Sequence, residues 1–148
     1  MPAVEVTGSA ELAAALERLA AAGKPAARQA ALAMAAAAER EIKLLLSTSD
    51  HPPGTAPPSA PGEPPSLVTG QLRRSVRMTR SAGTAARWET QVAPTTVYGR
   101  IQELGGRTGR GHRTYLPPRP YVRPAMELGT ARIRAAAVQA FRRALGEA

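Results

Sequence analysis

Apolar and polar positions change period several times along the chain, and each change marks an element. Leu12, Leu16 and Leu19 recur at spacings of four and three, with Ser9 placed as an N-cap, Glu11 in the first turn and Gly23 at the end of the run. This pattern predicts a first helix. Pro25, at a first-turn position where its missing donor costs nothing, predicts a second and longer helix to about Leu46. Its stripe is Ala27, Ala31, Met34, Ala38, Ile42 and Leu45, with Glu39 and Lys43 paired on another face. Residues 3–7 read as a short strand.

Farther along, the period drops to two. Val76, Met78 and Arg80 alternate with Arg77 and Thr79, and Ala86, Trp88, Thr90 and Val92 alternate with Arg87, Glu89 and Gln91 across a turn at residues 81–84. A β-hairpin with one half-buried face follows, in which Trp88 is read as a core anchor rather than a base-stacking platform. Val97 to Leu104 read as a short helix or turn presenting Tyr98, Ile101 and Leu104 together, ended by Gly105 and Gly106. A last helix starts near Pro124. Its stripe is Ile133, Ala137, Phe141 and Leu145, largely surrounded by Arg132, Arg134, Arg142 and Arg143, and Gly129 is its weak point.

Two stretches have no period. Residues 47–68 hold seven of the fourteen prolines and are expected to form a polyproline-like arm or loop. Both a plain linker and an arm reaching across a neighbour at about 3.1 Å per residue fit this composition. Residues 105–114, with Arg107, Arg110 and Arg113 among four glycines, read as a mobile basic loop. The expected fold is a single α+β domain over residues 1–148: two N-terminal helices, the arm, a small mainly antiparallel sheet built on the hairpin, and a C-terminal helix packed on that sheet.

Composition adds a constraint on stability. The chain is 43% hydrophobic, but much of this is alanine, and its aromatics are Trp88, Tyr98, Tyr115, Tyr121 and Phe141. Ordering a residue costs about 1.5 kcal/mol while a buried CH₂ returns about 0.8 kcal/mol, so methyl-sized side chains alone do not offset the cost. A marginal monomer and an obligate oligomer are expected.

Charge is split between the two parts of the chain. Residues 1–50 carry five basic and six acidic side chains, whereas residues 51–148 carry fifteen arginines and five glutamates, a net charge of +10. Nucleic acid and acidic protein surfaces both suit the second part. The absence of cysteine excludes disulfides and thiolate metal sites and is compatible with intracellular assembly. No basic stretch leads a leucine-rich core, and the alanine run is interrupted by Arg28, Gln29, Glu39 and Arg40, so neither a signal peptide nor a membrane span is expected.

Catalytic patterns are lacking in the sequence. The Gly/Arg loop cannot act as a Walker loop, because no lysine follows Lys43. His51 and His112 have no ligand-spaced companions, and Asp50 is the sole aspartate. The expectation is no enzyme, no cofactor and no metal. The loop's arginines suit DNA phosphates or an acidic neighbouring surface, and charge alone does not choose between them.

Three segments stand in fixed order: Thr69-Gly70-Gln71-Leu72-Arg73-Arg74-Ser75-Val76, Val97-Tyr98-Gly99-Arg100-Ile101-Gln102-Glu103-Leu104-Gly105, and Pro118-Arg119-Pro120-Tyr121-Val122-Arg123-Pro124-Ala125. Together they resemble the neck or tail-completion proteins of long-tailed phages, over roughly residues 66–145. The resemblance implies a virion protein of the head-tail junction, assembled in the host cytoplasm. It would form a ring of six or twelve copies that joins the head connector to the tail tube and lets DNA pass. A tail-terminator ring and a small basic, non-specific DNA-binding protein are the alternatives. Partners implied are further copies of the chain, neighbouring neck, head-closure, tail-tube or terminator proteins, and double-stranded DNA. The interface residues expected on this basis are Arg73, Arg74, Glu103, Arg107, Arg110, Arg113, Pro57, Pro58, Arg119 and Tyr121, with Glu103 expected to pair with an arginine of its own or an adjacent subunit.

Overall fold

A computed structural model describes residues 9–54, 59–84 and 87–146 of the chain, and the expected strand at residues 3–7, the Ser9 cap, Pro57 and Pro58 lie outside what it describes. The fold is α+β. Its spine is α1, Ser9–Leu45, one helix of 37 residues with Pro25 inside it. Two helices were expected here. The helix continues through Gly23, Lys24 and Pro25 because the alanines at 20–22 and 26–27 are the strongest helix formers, and because packing from Ala26 onward holds the second half in place.

After α1 come α2 (Gln71–Ser75), β1 (Val76–Gly83), β2 (Trp88–Pro94), α3 (Gly99–Leu104), β3 (Gly106–Thr108), a 3₁₀ turn at Arg110–His112, β4 (Thr114–Leu116) and α4 (Val122–Ala144). Gly70 precedes α2 at φ 71°, a left-handed conformation that explains the residue type there. β1 and β2 form the expected antiparallel hairpin, running from Val76 opposite Pro94 to Gly83 opposite Trp88, with an irregularity between Met78 and Arg80; Ser81, Ala82 and Gly83, expected in the turn, are strand residues paired with Thr90, Glu89 and Trp88. β3 and β4 pair as a second antiparallel ribbon, with Arg107 opposite Tyr115. The Gly/Arg segment is therefore a small hairpin rather than a formless loop. Its glycines take the positive φ values that let the chain reverse within a few residues.

The hairpin lies along α1. Glu39 accepts the Met78 amide at 3.2 Å, Thr90 Oγ1 donates to the Ala31 carbonyl at 3.2 Å, and the Arg28 guanidinium sits 5.7 Å from the centre of the Trp88 ring. Trp88 is half-buried there and donates to Ser81 at 2.9 Å. On another side α4 runs antiparallel to α1, with Ala125 beside Ile42 and Leu46 and Arg132 reaching back to Glu41. The main partner of α4 is thus α1, and only its first turn meets the base of the hairpin, through Val122, Val76 and Val92.

The core is thin, as the composition implies. Ile42, Leu46, Val76, Tyr121 and Ala125 form its cluster, and Ala26, Ala31, Ala35 and Ala38 continue the buried stripe along α1. Gly129 is not a weak point but the crossing point of the two long helices. A Cβ there would stand 2.5 Å from Cγ of Glu41. Glu41 is buried across this gap and accepts two bonds from Arg132, at 2.8 and 2.7 Å. The bonded guanidinium holds the Glu41 carboxyl below its ordinary value of 4.5.

Gly129→Ala is expected to lower stability by about 1–2 kcal/mol in urea unfolding, because overpacking at the crossing outweighs the gain in helix propensity. A depressed carboxyl value contributes stability above the unfolded value that disappears as pH falls. The variant, with Glu41 displaced, should therefore show a flatter decline in melting temperature below about pH 4.5.

Candidate functional site

The three ordered segments meet at one end of the domain, where α1 ends and α4 begins. Tyr121 is fully buried at their centre and donates its phenol to the Gly99 carbonyl at 3.0 Å. Burial, then the nearby Glu103 and Tyr98, pushes the Tyr121 phenol well above its usual value. Leu72 and Val76 of the first segment pack on the same cluster, and the Arg119 amide donates to the Gln102 carbonyl at 2.7 Å.

Glu103 caps α4. Its Oε2 accepts the amides of Tyr121 and Val122 at 2.6 and 2.9 Å, and its Oε1 accepts that of Arg123 at 3.1 Å. The expected arginine partner is replaced by three backbone donors that α4, entered through Pro120, could not otherwise satisfy. Negative charge at a helix N-terminus is favourable as well. Such a cap, nineteen residues upstream of the first residue of the helix it serves, has no local signature.

Two other expected contact residues also prove internal. Tyr121 is core, and Arg119 is buried with its Nε donating to the Ser59 carbonyl at 2.8 Å. That bond, with the Gly62 amide donating to the Pro118 carbonyl at 2.9 Å, ties the proline-rich segment back onto its own chain. The ends of the segment are clasped as well: Leu67 donates to Ser49 at 2.7 Å, and Asp50 and Leu67 form an isolated parallel bridge. The described part of residues 47–68 is therefore a closed loop rather than a free arm, held by backbone groups that proline leaves available as acceptors.

The remaining candidates face outward or link elements. Arg73 donates to Ser47 Oγ at 3.0 Å and fastens α2 to the end of α1, whereas Arg74 is exposed. Arg107, Arg110 and Arg113 are exposed on the small ribbon, together with His112 and Tyr115. Arg134, Arg142 and Arg143 are exposed along α4. None of these six arginines makes an ion pair among the described residues.

A large apolar surface accompanies this charge. Residues 10–21 of α1 are exposed throughout, and Leu12, Leu16 and Leu19 are 62%, 57% and 56% exposed. The helix outruns both α4 and the hairpin, whose packing reaches to about Ala26 and Arg28. A cleft of about 410 Å³ lies at the other end, floored by Val92, Pro94, Leu104 and Val122.

Among the described residues no group of three or more His, Cys, Asp or Glu is placed to hold a metal ion, and no helix is long and apolar enough to cross a membrane. Comparisons with protein-family models, with curated proteins and with solved structures give no match to this chain.

Proposed function

We propose that the protein is a structural subunit of a phage head-tail junction, a neck or tail-completion protein that closes into a ring and passes DNA through its centre. The observation that carries this reading is the set of three segments, ordered as in that family and interlocked around Tyr121 and Glu103. Such a node orients two projecting parts, the bare half of α1 and the arginine ribbon. The exposed Leu12, Leu16 and Leu19 support assembly, since a protein with a thin alanine core gains stability when neighbouring copies cover its apolar surface. The role is geometric, with each copy presenting one surface to the head side, one to the tail side and arginines to an anionic partner.

Electron microscopy of the purified protein, alone and with its neighbouring virion proteins, tests the reading. Closed rings of six or twelve copies at one axial level of the particle are expected. A protein that stays monomeric at all concentrations and never enters particles would defeat it. Changing Arg107, Arg110 and Arg113 together to glutamine should move the melting temperature by no more than about 2 °C, because exposed charges contribute little. The same variant should weaken attachment to the neighbouring ring or to DNA in a salt-dependent way. Normal particle yield from it at physiological salt would make the ribbon's charge incidental.

A further inference from the structure

We infer that the Gly/Arg ribbon is a finger that grips duplex DNA by its phosphates, without regard to sequence. This deepens the neck reading and rests on it for the duplex form of the nucleic acid, while the ribbon's own chemistry chooses nucleic acid over protein. Residues 104–126 hold Arg107, Arg110, Arg113, Arg119 and Arg123 with His112, and no aspartate or glutamate. Arg119 is tied to Ser59 and Arg123 to Glu127, whereas the three ribbon arginines are exposed and make no ion pair among the described residues. Carboxylates at the ribbon's base are already engaged. Glu103 accepts the three amides of α4, and Glu63, in the segment tied to Pro118, accepts the Ala60 amide at 3.3 Å.

The ribbon projects and holds its shape. Neither the helices nor the β1–β2 hairpin pack closely on it, so it stands off the domain. Its base is clamped, since Gly105 turns at φ 67° with no room for a side chain, a Cβ there standing 2.7 Å from the Pro118 nitrogen. Its tip is closed by the His112 amide, which donates to the Gly109 carbonyl at 3.1 Å, and Gly109, Gly111 and His112 all take positive φ. Arg110 is thereby set at the apex. At about 3.3 Å per residue, residues 106–109 carry it about 13 Å outward. Arg107 and Tyr115, directly opposite each other on the two strands, share one face below it.

A protein surface and DNA make different demands on such a blade. A protein contact centres on desolvated apolar or aromatic anchors, and residues 107–114 contain none. The exposed apolar residues nearby, Val97 and Leu104, sit at the base beside Arg107 rather than at the apex. Phosphates ask instead for guanidinium forks and hydroxyl donors, which Arg107, Arg110 and Arg113 supply together with Thr108, Thr114 and Tyr115. One two-stranded blade with its side chains is about 10 Å thick, against about 12 Å for the major groove, so its arginines reach phosphates on the groove walls. The ribbon carries no Asn, Gln, Asp or Glu to read adenine or cytosine edges, hence the indifference to sequence.

Fluorescence anisotropy over a salt series, with two unrelated linear duplexes of about 30 base pairs, tests the finger. The wild-type protein is expected to bind both alike. Changing Arg107, Arg110 and Arg113 together to glutamine should weaken binding tenfold or more at about 100 mM salt. It should also make the slope of log affinity against log salt shallower by about 2.7 or more, the counterion release of three phosphates per copy. A matching variant with Arg134, Arg142 and Arg143 changed to glutamine removes the same charge from α4 and should leave affinity and slope nearly unchanged. An equal loss from the α4 variant would overturn the finger, since overall charge would then suffice. Absence of wild-type binding at about 50 mM salt would overturn it too, while rings seen by microscopy would leave the neck reading standing. Displacement of the DNA by polyglutamate at equal charge concentration would overturn it in favour of an acidic protein partner. A protein that binds duplex through the ribbon but never closes into rings would uphold the finger and defeat the neck reading.

Discussion

Tyr121→Ala should unfold the protein near room temperature or leave it so weakly folded that its urea midpoint is close to zero. Truncating a large aromatic in a core costs about 3–5 kcal/mol, and total stability is about 5–15 kcal/mol for ordinary domains. This core is poorer than ordinary, because Tyr121 is the largest of its fully buried side chains and most of the remaining buried stripe is alanine. Tyr121→Phe keeps the ring and loses only the bond to the Gly99 carbonyl, so a loss of about 1 kcal/mol is expected.

The phenol has a second readout. Its value is raised by burial, so it stays protonated in the folded chain at a pH where the unfolded chain, with a value of 10, has ionised. Its contribution to stability is complete below pH 10 and is lost as pH rises beyond it. Alkaline titration followed by tyrosinate absorbance should show one tyrosine that ionises only with unfolding, and Tyr121→Phe should abolish that step. A wild-type protein whose tyrosines all titrate freely before unfolding would show that the node is open to water.

What the sequence made legible follows from how local each signal is. The β1–β2 hairpin, the short α3 ended by glycine and the long α4 depend on period and on turn residues, and all three were readable. Pro25 misled because its first-turn preference is a statistical signal, and the alanines around it tolerate an interior proline once α4 and the hairpin hold the helix beyond Ala26. The closed course of residues 47–68 depends on carbonyls of Ser59 and Pro118, which composition does not reveal. Gly129 looked like a defect within its helix and is a packing position between helices, since its partner Glu41 lies far away in sequence. Of the expected interface residues, the ribbon arginines and Arg74 are exposed, while Arg119, Tyr121 and Glu103 serve the interior. In a motif the same residue types can face a partner or brace the fold, and only the tertiary arrangement distinguishes them.

Glu103→Ala should cost about 2–3 kcal/mol, the largest effect expected from any half-exposed position. Three amide donors at the start of α4 lose their acceptor together. A single lost cap costs about 0.5–2 kcal/mol, and a buried donor left unpaired about 1–3 kcal/mol. Water can reach Arg123, which is exposed, but less easily Tyr121, so the penalty concentrates on the amide beside the core. Glu103→Gln keeps one oxygen that can serve two of the donors and loses the negative charge at the helix end, so roughly half the loss is expected. Urea unfolding of both variants measures this order, and hydrogen exchange at Tyr121, Val122 and Arg123 localises it. Since α4 also supplies the arginines that face outward and Val122 in the cleft floor, Glu103→Ala should reduce assembly at temperatures where the fold still holds. An alanine variant as stable as wild type, with unchanged exchange at these amides, would mean that α4 needs no cap and that the ordered segments are joined by Tyr121 alone.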